Sequence, residues 1–229
     1  MAFAVPMDVA PYQLSGRVYG ALLNHRAALA ALGDSVNQPP YKAPPRAPVL
    51  YIKPYNTLAG DQAQVSLPPE ISELEVGACL GVVIGRVACR LSEHNALEAV
   101  AGYVIVNDIS IPHPTYYRPS VRFKARDGFC PVGPRVVART LVPDPDALQI
   151  QVRVDGTVCL TTSTAELVRP VARLLADVSE FMTLSPGDIL ATGAAAPAPR
   201  ARAGQRVSIT IEPIGTLETH FVGSTGGPA

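Results

Sequence analysis

Between Asp108 and Lys124 the chain gathers side chains that can do chemistry. Tyr117, Arg118, Arg122 and Lys124 fall in a stretch, 109–134, too rich in proline and polar residues for one regular element. Long irregular segments inside compact domains are often functional. Guanidinium groups pair bidentately with carboxylates and a lysine ammonium adds a compact positive charge, so this set suits an acidic ligand. Other signatures are missing. There is no phosphate-cradling G-x-x-x-x-G-K-S/T loop, no H-E-x-x-H and no G-x-S-x-G. His25, His94, His113 and His220 lack zinc-ligand spacing and read as ordinary loop or surface residues. Cys79, Cys89, Cys130 and Cys159 form no C-x-x-C pair and read as reduced, mostly buried thiols.

The chain that must position these residues has 229 of them, one large domain or two small ones. Hydrophobic residues make up 48%, enough for a substantial core. Lysine plus arginine equals aspartate plus glutamate at 19 each, so the basic excess of a nucleic-acid binder is absent. Proline, at 23 residues, argues against a helical bundle and for short strands joined by turns. No apolar run is long enough to span a bilayer, and Pro6 and Asp8 interrupt the N-terminus where a signal peptide needs an apolar run. The expectation is a cytoplasmic protein with no membrane contact.

Strands are expected over 17–23, 49–53, 64–67, 73–86, 102–107 and 189–192. A short alanine-rich helix is expected over 24–32, and another with Ser92 as its N-cap over 95–100. The strongest local signal is Asp155-Gly156 between two alternating runs, 148–154 and 157–162, which reads as a hairpin. In 170–181, Val171, Leu174, Leu175 and Val178 recur at one helical face. Residues 194–203 read as an Ala/Pro loop, and Val207, Ile209 and Ile211 alternate in a last strand pair running to Phe221. The fold class is α+β, mostly β, with few short helices.

Five strings in register resemble the fumarylacetoacetate hydrolase superfamily. They are VLYIKPYNTLAG (49–60), LEVGACLGVVIGR (74–86), GYVIVNDIS (102–110), FKARDGFCPVGP (123–134) and LSPGDILATG (184–193). The resemblance runs from 17 to 222, leaving an N-terminal arm, 1–16, and a C-terminal tail, 223–229. It implies that family's mixed β-roll or sandwich. The stretches ALLNHRAALAAL, NQPPYKAPPRAP, YYRPSVRFKARDGFCP and LSEFMTLSPGD are similar to the N-terminal half of the two-domain isomerase/decarboxylases of 4-hydroxyphenylacetate (homoprotocatechuate) breakdown. An unsaturated keto-dicarboxylate substrate is thereby implied, 2-hydroxyhepta-2,4-diene-1,7-dioate for isomerisation or 5-oxopent-3-ene-1,2,5-tricarboxylate for decarboxylation.

Family members hold Mg²⁺ or Mn²⁺ with Glu-x-Glu on one strand and an aspartate on the next. Residues i and i+2 of a strand share a face, so two glutamates there present hard oxygen ligands together. The ion then stabilises an enolate, with a lysine adding charge nearby. In this chain the two glutamate slots fall on Gly77 and Cys79, while the third ligand, Asp108, and the lysine, Lys124, are retained. Cys79 reads as a buried thiol, with a soft zinc or iron ligand as the alternative. The family's helical His…Glu pair falls on Ala28 and Ala31, its T-G-T-P loop reads Thr192-Gly193-Ala194-Ala195, and an arginine is replaced at Pro112. Asn24 and Lys53 match polar positions at the pocket edge, and Tyr117, Arg118 and Arg122 are placed to meet a dicarboxylate, a solvated loop being the alternative for the two arginines.

The resemblance therefore implies a subunit of an isomerase/decarboxylase, Lys124 being its catalytic candidate. The chain is expected to form a homodimer by itself, and a heterodimer when a C-terminal-type subunit is present. The alternatives are an inactive scaffold paralogue and a small-molecule binding protein. No divalent ion is expected at Asp108, and glutamates restored at 77 and 79 are expected to create a site for one.

Overall fold

The computed structural model describes residues 15, 17–113, 117 and 120–223. Most of the arm, 1–16, and of the tail, 223–229, lies outside them. Among the described residues the strands, in chain order, are β1 (Val18–Leu22), β2 (Val49–Lys53), β3 (Leu58–Ala59), β4 (Ala63–Ser66), β5 (Leu74–Glu75), β6 (Ala78–Ile84), β7 (Val100–Asn107), β8 (Cys130–Ala138), β9 (Gln149–Val154), β10 (Thr157–Ser163), β11 (Ile189–Ala191), β12 (Arg200–Ala201), β13 (Arg206–Ile211) and β14 (Gly215–Val222). The helices are α1 (Arg26–Ala30), α2 (Val121–Lys124) and α3 (Val171–Phe181). The protein is mostly β, as its proline content and alternating patterns require. No helix of the described residues is long and apolar enough to cross a membrane.

A seven-stranded sheet runs β2-β1-β11-β6-β7-β8-β3, a five-stranded sheet runs β10-β9-β13-β14-β4, and β12 pairs with β5. Strands β6 and β7 are buried along their whole length, which is why they read as unbroken apolar runs. Their side chains still alternate. Leu80, Val82 and Ile84 join one core with Ile150, Val152, Val207, Ile209 and the α3 face, while Cys79 and Val83 join a second core with Val104, Val106 and Val132. The large sheet thus packs one face against the five-stranded sheet and α3.

The hairpin forms as expected, β9 pairing with β10, and Asp155 (φ 48°) and Gly156 (φ 80°) both take the positive φ that a type I′ turn needs. Helix α3 buries Val171, Leu174, Leu175 and Val178, with Pro170 as its N-cap rather than its first residue.

Other elements differ from expectation for identifiable reasons. The run 73–86 is two strands, because the chain leaves β12 at Val76-Gly77 and joins β11 and β7. The helix expected near Ser92 is only a 3₁₀ turn, Ala96–Ala99, since Asn95 Oδ1 already accepts from Ser92 N and Val100 starts β7. Helix α1 is shorter than 24–32, because Asn24 is committed elsewhere and His25 is the N-cap. The stretch 109–134 is not wholly irregular. It holds α2 and the start of β8, whose Pro131 pairs with the short β3 and whose Pro134 falls where the register with β7 shifts, a bulge that tolerates proline. The cysteines are all free, but only Cys79 and Cys130 are buried, while Cys89 and Cys159 are exposed.

Leu174→Ala should cost about 2–5 kcal/mol in urea unfolding, the cavity cost of a buried leucine. Glu180→Ala, on the exposed face of the same helix, should stay within about 0.5 kcal/mol.

Candidate functional site

One end of the large sheet carries the site. The register places the C-terminal ends of β1, β11 and β7 beside the N-terminal end of β6. Asp108 follows β7 directly. Its carboxylate is the meeting point of three side chains from two other elements: Tyr51 and Lys53 of β2, and Lys124 of α2. Lys124 Nζ donates to Asp108 Oδ2 at 2.6 Å, and the Tyr51 hydroxyl donates to the same oxygen. Lys53 Nζ donates to the carbonyls of Ile109 (3.0 Å), Lys124 (2.9 Å) and Phe129 (2.8 Å). With those three protons directed at carbonyls, Lys53 meets Asp108 Oδ1 at 2.7 Å as a charge contact, and Oδ1 has no hydrogen-bond donor. Lys124 Nζ also lies 5.1 Å from the Tyr51 ring centroid.

Two ammoniums thus share one buried carboxylate. Burial alone would raise the Asp108 pKa, but the charges of Lys124 and Lys53, with the Lys124 hydrogen bond, outweigh it and hold the carboxyl well below the usual range. Burial and the charge of Asp108 push the Tyr51 phenol well above its ordinary value, so Tyr51 stays a proton donor in this cluster. Burial pulls the Lys53 pKa below its ordinary value, against the charge of Asp108, which raises it.

Asp108 and Lys124 open onto a cleft of about 310 Å³. Glu75, Ser110, His113 and Arg200 give it further polar groups, and Ala28 and the 194–198 segment also line it. Arg200 is paired with Glu73 and lies 3.6 Å from Glu75. His113 Nδ1 lies 2.9 Å from Ile111 O, and its ring stacks on Phe123 at 4.8 Å. Gly193, at φ 108°, turns the chain from β11 into the 194–198 segment, with Ala21 O only 2.8 Å from where a Cβ would sit.

The structure brings together only part of the expected set. Asp108, Lys124 and Lys53 form one cluster, but Lys53 is fully buried beneath Asp108 rather than at the pocket edge. Asn24 is also internal. Its Nδ2 donates to Thr192 O (2.9 Å) and Arg169 O (3.2 Å) and its Oδ1 accepts from Arg169 N, so it ties β1 to the chain before α3. Arg122 is exposed and borders a different hollow, with Glu70 and Arg126. Tyr117 is exposed and packs edge-on against Tyr41, but it lines a second hollow, of about 490 Å³, together with Lys124 and Tyr51. Arg118 lies outside the described residues. Tyr51, Glu75, His113 and Arg200 were not read from the sequence as site residues. Tyr51 carried a signal, since it stands two residues before Lys53 and so shares its strand face.

The residues in the metal slots do not fit a divalent ion. Asp108 already faces two ammoniums and a phenol, an environment that repels a further cation. Cys79 is buried, its Sγ lying 3.7 Å from Val106 O, and burial raises its thiol pKa far out of the thiolate range. A Cβ on Gly77 would lie 2.3 Å from Asp108 O, in a backbone contact where Asp108 N also donates to Gly77 O at 2.9 Å. The expectation that glutamates at 77 and 79 would create a metal site is corrected by this contact: the strand pair has closed over the space a side chain at 77 would need. Among the described residues no three His, Cys, Asp or Glu side chains are grouped to hold a metal.

Known proteins include several that the chain resembles along most of its length. A family model described as fumarylacetoacetate (FAA) hydrolase, C-terminal, matches residues 17–222. The 4-hydroxyphenylacetate degradation bifunctional isomerase/decarboxylase of Escherichia coli is 36% identical over 209 residues, 91% of this chain and 48% of that one. The chain therefore spans about half the length of the curated relatives it matches first. The crystal structure of a 5-carboxymethyl-2-hydroxymuconate delta-isomerase from Mycobacterium smegmatis superposes with a TM-score of 0.79 at 30% identity, covering 95% of this chain and 82% of that one. A maleylpyruvate hydrolase from a Sphingobium species, crystallised with manganese(II) and pyruvate, gives 0.74 at 26% identity over 91% and 71%.

Asp108→Asn leaves two buried ammoniums without their counter-charge and should cost about 3–5 kcal/mol at pH 7. Because the folded carboxyl titrates below its unfolded value of about 3.9, that gap should hold constant from pH 7 to 5 and narrow only as pH falls below about 4. Urea unfolding of both proteins at pH 7, 5 and 3.5 measures it. Gly77→Ala should cost about 1–3 kcal/mol in the same assay, since the strand pair must open to admit one methyl group.

Proposed function

The chain belongs to the fumarylacetoacetate hydrolase family, and from that premise we propose that it is a cytoplasmic subunit of isomerase/decarboxylase type acting on unsaturated 2-keto acids and their enols. The observation that carries this reading is the Tyr51–Asp108–Lys124 cluster opening onto a cleft. Isomerisation and decarboxylation of such acids both pass through an enolate, and an ammonium fixed in a low-dielectric pocket stabilises that charge as it develops. Lys124 has three donors, of which Asp108 takes one, so two are left for a ligand's carboxylate and enolate oxygens. Tyr51 and Lys53 keep Asp108 ionised and in place, and thereby fix Lys124. His113 and Glu75, on the cleft wall, supply and remove the proton at carbon. This subunit acts without a divalent ion at Asp108, because its donor set is already spent on lysines.

The functional unit of this reading is 17–222. It pairs as a homodimer, or with a second subunit of the same fold that carries the metal ligands. The relatives' greater length and the zero net charge support such pairing. The four free cysteines suit a reducing compartment. A second reading, an inactive scaffold, is favoured by Ala28 on the cleft wall and by His25, which caps α1 and meets Thr162 Oγ1 at 2.9 Å instead of facing the cleft.

The loss of enol absorbance of 2-hydroxy-2,4-dienoates, the class that includes 2-hydroxyhepta-2,4-diene-1,7-dioate, distinguishes the two. The purified chain should accelerate it equally with and without EDTA, and Lys124→Met should lower kcat/KM about a hundredfold, or roughly 2.7 kcal/mol. No acceleration by the chain alone, together with an unchanged rate for the Lys124→Met subunit mixed with its partner, establishes the scaffold.

A further inference from the structure

Helix α1 starts on a histidine ring. Its N-cap is His25, whose Nδ1 lies 3.2 Å from the Ala27 backbone nitrogen. A backbone N–H can only donate, so Nδ1 is the acceptor there and carries no proton. The neutral ring then holds its one proton on Nε2, which donates to Thr162 Oγ1 of β10 at 2.9 Å. His25 is 4% exposed, and its backbone bridges to Leu167. No acidic residue stands in the first turn of α1 and no basic one in its last, so the ring is the side-chain cap this five-residue helix depends on.

A second proton on the ring must go to Nδ1. It would point at the Ala27 N–H, turn an acceptor into a donor, and set a cation at the start of a helix, where the backbone dipole opposes it. Burial also disfavours the charged ring and lowers its pKa, against the charge of Glu166, which raises it. Arg26 of α1 is exposed, and the Arg169 side chain is turned to Asp177 and Arg46 O. The segment held by this ring reaches the cleft, since Ala21, Leu22, Leu23 and Ala28 all line it.

We propose that His25 is a proton-sensitive latch, which fixes the first turn of α1 beside the cleft when neutral and releases that turn when protonated. The folded ring binds its proton more weakly than an unfolded histidine, which titrates at about 6.5. The fold therefore has the full benefit of the cap above that pH, begins to lose it below, and frees the turn as pH falls through the lower folded value. The latch acts on the chain alone and does not rest on the keto-acid reading.

Nuclear magnetic resonance on the full, isotope-labelled chain tests it. The ring of His25 should be unprotonated at Nδ1 at neutral pH, with a titration midpoint below about 6.5. Hydrogen exchange is then followed from one pH unit above that midpoint to one below, corrected for the intrinsic rate. The Ala27 amide should lose about tenfold of its protection, the scale of a lost cap, while Ile209 in β13 keeps its own. His25→Asn, a cap that does not titrate, should hold Ala27 protection constant over the same range. The latch is refuted if the neutral ring carries its proton on Nδ1. It is equally refuted if Ala27 protection is unchanged across the titration of the ring, or if it falls as far in His25→Asn.

Discussion

Everything at the functional end of this molecule depends on one buried carboxylate shared by two ammoniums. A single buried charge is very costly, and a pair is tolerated only when its remaining donors and acceptors are satisfied. Here the satisfaction comes from far apart in the chain. Three backbone carbonyls hold Lys53, and a phenol from the same strand holds Asp108. To build that cluster, β2 must lie beside β1, β7 must end at Asn107, and α2 must turn Lys124 inward. The order of the large sheet is thus coupled to the electrostatics of its end.

The same cluster sets the electrostatics of the cleft. The Asp108 carboxylate is the counter-ion of a lysine pair. Of the two ammoniums, Lys124 lines the cleft while Lys53 is buried beneath it, so α2 is the element that presents positive charge to the opening.

Much of the fold was legible because it rests on local signals. Asp155-Gly156 fixes its hairpin, and the period of Val171, Leu174, Leu175 and Val178 fixes a buried helix face. The buried strands β6 and β7 announced themselves as apolar runs. What was illegible depended on partners distant in sequence. Nothing local shows that the run 73–86 changes neighbours at Gly77, or that a bulge lets β8 carry two prolines. The site divides the same way. Asp108 and Lys124 could be read from matched strings, but the burial of Lys53 and the internal role of Asn24 depend on carbonyls at Phe129, Arg169 and Thr192. No pattern around residues 24 or 53 encodes those contacts. Tyr51 was the one readable omission, through its two-residue spacing from Lys53.

Gly77 sets a limit on what the site can be made to hold. Strands β6 and β7 lie so close that the oxygen of Asp108 occupies the volume any side chain at 77 would begin in. A carboxylate introduced at 77 would meet backbone before it reached the cleft, and one at 79 would enter a dry core. Substitution at these two positions therefore probes the spacing of two strands rather than the chemistry of the cleft, and side chains that reshape the cleft must come from its other lining segments, Ala28 and 194–198.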